Sequence, residues 1–385
     1  MIPVHLIQQA AHWFSEKLET EAQPTPISGL PSAHLDLLRG LAAVAVLFGH
    51  WRPFWWPHYA NGDIGVLGRL GYFVTGFPHE AVIMFFVLSG FLVGGSVFRS
   101  ASSWSWKKYL IVRLSRLLTV LLPALLIGAI FDIIGIYVIK SPIYHGQSVS
   151  IYWEVGQRLG FGTLACNILF LQTIACEPFG SNGALWSLAN EFWYYIMFPM
   201  IVLSLSNKSS VQLRLMYIFI VVILLFIVGE SISILFLVWI MGALIYILPD
   251  IHCSSSKTVA IQIFSLGIAL SCALMSRFMK NTPSDILFGV AFTFFVWSLC
   301  QYKAQAPKFY QEISSRLSSF SYTMYLFHLP VLAFIAAILT EYTSFGASVS
   351  GLLSLFAVII FCLLAYRSFE AQTPLVRRTL FNVFR

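Results

Sequence analysis

The chain has 385 residues, of which 58% are apolar and 10% charged, with a mean hydropathy of +0.81. Soluble domains carry roughly 25% charged residues, so this composition excludes an ordinary soluble protein and points to a polytopic membrane protein. The net charge of +7 calls for no nucleic-acid partner, because Lys and Arg kept on the cytoplasmic side give such proteins a basic excess.

Taken in chain order, the first 20 residues lack the basic start of a secretory signal, and Glu16, Glu19 and Glu21 follow early. Val4, Ile7, Ala11, Phe14 and Leu18 recur at helical spacing, which predicts an amphipathic helix lying on the membrane surface. Pro24, Pro26 and Pro31 then predict a short stiff linker, so residues 1–33 form one segment. Apolar runs long enough to span follow near 35–54, 79–98, 117–139, 185–205, 212–229, 231–248, 259–276, 284–302, 319–340 and 349–369. The expected fold is all-α: a transmembrane helical bundle of about ten spans over 34–370, with a basic tail at 371–385. Gly229-Glu230-Ser231 makes a very short hinge between two of these runs.

With both termini in the cytoplasm, the inner side holds Arg99, Lys107, Lys108, Arg113, Arg116, Lys208, Arg214 and the Arg-rich C-terminus. The outer side keeps Arg52, Arg69, Lys140, Arg158, Arg277 and Lys280, and this bias supports the orientation. It puts Arg39 near the cytoplasm and His50 near the outer face. Two long segments, about 55–78 and 140–184, then lie outside. Within the second, the apolar stretch Phe161–Ala175 is too short to span and is expected to lie along or dip into the interface. Cys166 and Cys176 fall there and would bridge only if that side is oxidising. The six cysteines form no CxxC pair and suggest no metal site.

The first span carries Asp36, Arg39 and His50 in an otherwise apolar run. Arg39 and His50 are eleven positions apart, about three turns, so they share one face at roughly 16 Å along the axis. Ionisable groups in a span face a bundle interior, a cavity or the interface, so this helix either lines a site or is anchored at its two ends. In the second run Ser89, Gly90 and Gly94 form a small-residue packing face. Lys107, Lys108, Arg113 and Arg116 crowd the cytoplasmic surface. The Arg113–Arg116 pair, one turn apart, suits either a phosphate grip or the positive-inside signal.

The run that opens with Trp186 carries Ser187, Asn190, Glu191 and Tyr194 as a polar stripe. A buried carboxylate needs a partner, and His50 is at a similar depth. Glu191 would then orient the imidazole while its other nitrogen takes a proton from a hydroxyl; otherwise Glu191 is a structural hydrogen-bond partner. Tyr325 and His328 lie one turn apart in the ninth run, where a lone histidine reads first as a core residue. Arg367 and Glu370 are placed to form an interfacial pair.

The segments LDLLRGLAAVAVLFGH, FFVLSGFLV, RLSRLL, NILFLQ, LWSLANEFWYY, SYTMYLFHLPV and YRSFE occur in one order over nearly the whole chain. In these the sequence resembles the acyltransferase 3 family of integral membrane enzymes. It departs from the family at Leu37, where glycine is usual, and at Phe192, where a second acidic residue often follows the glutamate. The resemblance implies a membrane O-acyltransferase that takes an acyl group, usually acetyl, from cytoplasmic acetyl-CoA. The acceptor is a hydroxyl of an extracytoplasmic carbohydrate, a surface polysaccharide or O-antigen, free or lipid-linked. The setting it implies is the bacterial inner membrane.

On this reading His50 and Glu191 are catalytic, and Arg39, Lys108, Arg113 and Arg116 contact the donor. Ser187, Asn190, Tyr194, Trp186, Tyr325 and His328 serve the substrate or the oxyanion, while Asp36, Ser89 and Gly90 are structural. Trp51, Trp55 and Trp56 would stack on sugar rings or form the interfacial aromatic belt. No metal is required. Membrane lipid is the other expected partner, and assembly as a homo-oligomer is left open. A secondary transporter or flippase is the competing class, although no repeat of helix size stands out.

Overall fold

The computed structural model describes residues 28–56, 65–251 and 253–384, so the surface helix expected in residues 1–20 lies outside them. The described residues are mainly helical, with isolated bridges pairing His145 with Glu154 and Gln172 with Cys176. In order the helices are α1 (Leu30–Trp55), α2 (Gly65–Val74), α3 (Pro78–Ser100), α4 (Trp106–Ile133), α5 (Phe161–Ile168) and α6 (Trp186–Leu205). They continue as α7 (Val211–Leu244), α8 (Ser255–Met279), α9 (Thr282–Cys300), α10 (Lys308–Ser319), α11 (Ser321–Tyr342), α12 (Ala347–Ser368) and α13 (Thr373–Val383). Helices prevail because in hydrocarbon each backbone N–H and C=O must be satisfied within its own segment.

Nine helical segments among the described residues are long and apolar enough to cross a membrane. The tenth expected run lies within α7, which is two helices meeting at a kink. Gly229 (φ 80°, ψ 174°) breaks it in a conformation open essentially to glycine. Ser233 Oγ donates to the Leu225 carbonyl at 3.0 Å, satisfying an acceptor beside the break. Pro31 sits in the first turn of α1 and not in a linker, at a position where the missing N–H costs no helical bond.

The chain divides into two compact units. One contains α1 up to Leu35, Ile83–Trp106 and Asn190–Gln311. Here α3 and α7 approach closely through glycines. A Cβ on Gly90 would stand 2.0 Å from the Trp239 carbonyl oxygen, and one on Gly242 would stand 2.1 Å from that of Val87. Small residues allow such an approach, which is how helices gain contact in lipid. The fully buried Trp239 packs on Phe198, Phe236 and Tyr194. Gly90→Ala is therefore expected to cost about 1–3 kcal/mol through overpacking. It should lower the melting temperature of the detergent-solubilised protein, and an unchanged melt would mean the two helices have room to spare.

The other unit contains Asp36–Val82, Lys107–Ala189 and Glu312–Arg385. Its centre is α11, where Leu326, Leu332, Ala333 and Ala337 are fully buried. Phe131 of α4 stacks on Phe334 at 4.4 Å. Trp51 Nε1 donates to the Gly351 carbonyl (2.9 Å) and Ser354 Oγ (3.1 Å) of α12. Tyr144, Ile151 and Val155, from the segment after α4, pack against Leu329, Ala333 and Ala337. In that segment the apolar stretch forms only the short helix α5, and Cys166 and Cys176 are bridged.

Candidate active site

The helix α11 holds His328 with 1% of its surface exposed. Its Nδ1 faces two backbone carbonyls, Met324 at 3.0 Å and Tyr325 at 2.8 Å. A carbonyl only accepts, so this nitrogen carries the proton. In the neutral ring Nε2 of His328 is then an acceptor, and it meets Nδ1 of His50 at 2.9 Å. The two rings are near parallel, 23° apart, with centroids 5.0 Å from each other. It follows that His50 donates from Nδ1 and that its Nε2 bears the lone pair. That nitrogen makes no hydrogen bond among the described residues. The ring is thus set as an acceptor of protons at one defined atom.

This corrects two expectations. The ring partner on Nδ1 of His50 is His328, where the sequence suggested Glu191. His328, read first as a lone core residue, is bonded to a second imidazole. Glu191, in the other unit, accepts from Ser89 Oγ at 3.2 Å and from the Tyr195 hydroxyl. Ser89 Oγ also accepts from Trp239 Nε1 at 3.2 Å. Within its unit Glu191 therefore has the structural hydrogen-bond role that was the alternative reading.

The polar stripe on α6 is split by its neighbours. Ser187 pairs with the Tyr325 hydroxyl at 2.6 Å, and that hydroxyl donates to the Ala184 carbonyl at 3.0 Å. Tyr194 is fully buried and its hydroxyl donates to the Ile232 carbonyl at 2.8 Å, while Asn190 Nδ2 donates to the Tyr194 oxygen at 3.2 Å. Ser187 and Tyr194 are thus each bonded to protein groups, Tyr325 and the Ile232 carbonyl. Trp186 is half-buried at the head of α6. Trp51 and Trp55 are both buried, and Trp51 is bonded to α12.

At the Arg39 end of α1, the same unit gathers charge. Arg39 lies 3.8 Å from Asp36. Glu370 accepts from the Thr323 backbone N–H at 3.0 Å and from its hydroxyl at 2.5 Å, with Arg116 and Arg39 near enough to act on its charge. The partner of Glu370 is thus Thr323, where Arg367 was expected. Thr323 lies in the first turn of α11, where its backbone N–H has no helical acceptor and Glu370 supplies one; its five-residue spacing from His328 is about 7.5 Å of helix. Arg113 lies over the Tyr109 ring at 5.2 Å, and Lys108 is exposed. Arg39 and Arg116 thus both act electrostatically on Glu370.

Sequence reasoning passed over Thr323, Ser150 and Asn182. Ser150 Oγ donates to the His50 carbonyl at 2.9 Å, and Asn182 Nδ2 donates to that of Leu326 at 2.8 Å. One signal was readable: a proline inside a span, Pro330, leaves a carbonyl four residues earlier in need of a donor.

Fold and site together define a polytopic helical membrane protein that holds a histidine pair between two of its spans, α1 and α11, with guanidinium groups in the same unit. The sequence profile of the acyltransferase 3 family, described as an acyltransferase domain, matches residues 32–367, and the chain belongs to that family. It is an integral membrane protein of acyltransferase type. No curated protein and no solved structure matches it.

Proposed function

We propose that this protein transfers an acyl group, acetyl in the first instance, from cytoplasmic acyl-CoA to a hydroxyl of an extracytoplasmic carbohydrate. The observation that carries the reading is the fixed tautomer chain from the Met324 and Tyr325 carbonyls through His328 to His50. It leaves Nε2 of His50 unprotonated, as a general base must be.

In the reaction, Nε2 takes the proton of the acceptor hydroxyl as its oxygen attacks the thioester carbonyl. The tetrahedral intermediate collapses, the carbon–sulfur bond breaks, and the imidazolium returns its proton to the departing CoA sulfur. Throughout, Nδ1–H of His50 keeps its bond to His328, which holds the ring in place as its charge changes. Arg39, Arg113 and Arg116 would receive the donor phosphates, which guanidinium binds through paired hydrogen bonds. The family membership supports acyl transfer, and both termini in the bacterial cytoplasm remain the reading of the Lys and Arg distribution.

The test is reconstitution in vesicles with radiolabelled acetyl-CoA on one side and host membrane glycan on the other. Label in the glycan is the expected result. Solute movement without acylation would replace the enzyme with a transporter.

A further inference from the structure

A proline sits inside α11, at position 330. It has no N–H, so the carbonyl four residues earlier, that of Leu326, loses its helical partner. An unsatisfied carbonyl in an apolar span is costly. Asn182 supplies the donor, with Nδ2 at 2.8 Å from the Leu326 oxygen and only 4% of the residue exposed.

Asn182 is itself tightly framed. The neighbouring Ser181 N–H donates to Asp132 Oδ2 at 2.8 Å. Gly180 stands at φ +60°, where a Cβ would come within 2.2 Å of the same carboxylate oxygen, and its carbonyl accepts from Trp153 Nε1 at 3.0 Å. Upstream, the bridge from Cys166 to Cys176 closes the loop that brings Gln172 Nε2 to the Leu185 carbonyl at 2.9 Å. The segment also reaches the other imidazole, through the bond from Ser150 Oγ to the His50 carbonyl at 2.9 Å. One cross-linked stretch thus touches both histidine-bearing helices, and Leu326 is two residues from His328.

We infer that Asn182 is a positioning residue: by holding the Leu326 carbonyl that Pro330 releases, it sets where His328 stands and so how His50 is aimed. This rests on the acyl-transfer reading above. A loosened carbonyl lets the 324–328 turn shift, and a shift of about 1 Å in a supporting group can cost on the order of 100-fold in rate.

The experiment uses the full chain in vesicles with radiolabelled acetyl-CoA and host glycan, comparing wild type, His50→Asn, Asn182→Ala, Pro330→Ala and the Asn182→Ala/Pro330→Ala double variant. Asn182→Ala should lower kcat by about 10- to 100-fold with donor KM little changed. In the double variant the N–H restored at position 330 takes the Leu326 carbonyl, so kcat should return to near that of Pro330→Ala alone. A wild-type kcat in Asn182→Ala, or a loss that persists undiminished in the double variant, would overturn the assignment. If Asn182→Ala does not fold, a folded and active double variant supports it and an unfolded one refutes it. Amide exchange over residues 324–332 reads the clamp without activity: faster in Asn182→Ala, restored in the double variant. His50→Asn separates the two claims, since full transfer by that variant would remove the general-base reading itself and with it the positioning role.

Discussion

His50→Asn is expected to slow acyl transfer by about 100- to 10,000-fold, the contribution usual for a general base. Asparagine is chosen because its amide N–H can lie near where Nδ1–H stood, keeping the donor that His328 Nε2 needs at 2.9 Å. Alanine would leave that buried acceptor unpaired at a cost of about 1–3 kcal/mol, and a folding defect could then be mistaken for lost chemistry. The asparagine variant should therefore melt near the wild-type temperature and bind donor with unchanged affinity while failing to transfer. His328→Ala should fall between the two: the base remains, but its ring loses the acceptor that fixes its tautomer and direction. Retained transfer by folded His50→Asn would exclude the proposed proton path.

The second large effect is expected at the arginines. Each hydrogen bond to a charged group contributes about 1.5–3 kcal/mol, so Arg113→Ala with Arg116→Ala should raise donor KM by at least 10- to 100-fold, with a smaller change in kcat. Arg116 also stands near Glu370, which is bound to Thr323, so its loss removes a neutralising charge as well. Adding Glu370→Gln should restore stability without restoring donor KM, which tells the two roles of Arg116 apart. An unchanged donor KM in the paired variant would assign these arginines to membrane topology.

The expected spans match the helices closely, because length and apolarity are local properties and lipid admits few backbone solutions. Even the break at Gly229 was foreshadowed by Gly229-Glu230-Ser231. The Arg39–His50 spacing was equally legible, since eleven residues of helix fix a separation and a shared face. The partner of His50 was not. A carboxylate looked the natural choice on chemical grounds, yet imidazole from α11 occupies the place. Glu191 bonds Ser89 and Tyr195 instead, and Glu370 bonds Thr323.

What this sequence determined unaided is a set of apolar helices, the residues that interrupt them, and a family signature with its candidate base. Those follow from hydropathy and the 3.6-residue period, which act along the chain. Only the tertiary structure decided which polar atom meets which: that a histidine steadies His50, that Ser187 meets Tyr325 and Tyr194 the Ile232 carbonyl, and that Asn182 answers the carbonyl left by Pro330. Hydrogen bonds act over about 3 Å, so pairs made across helices depend on how those helices are turned and packed, and periodicity along one helix carries no record of its neighbour's rotation.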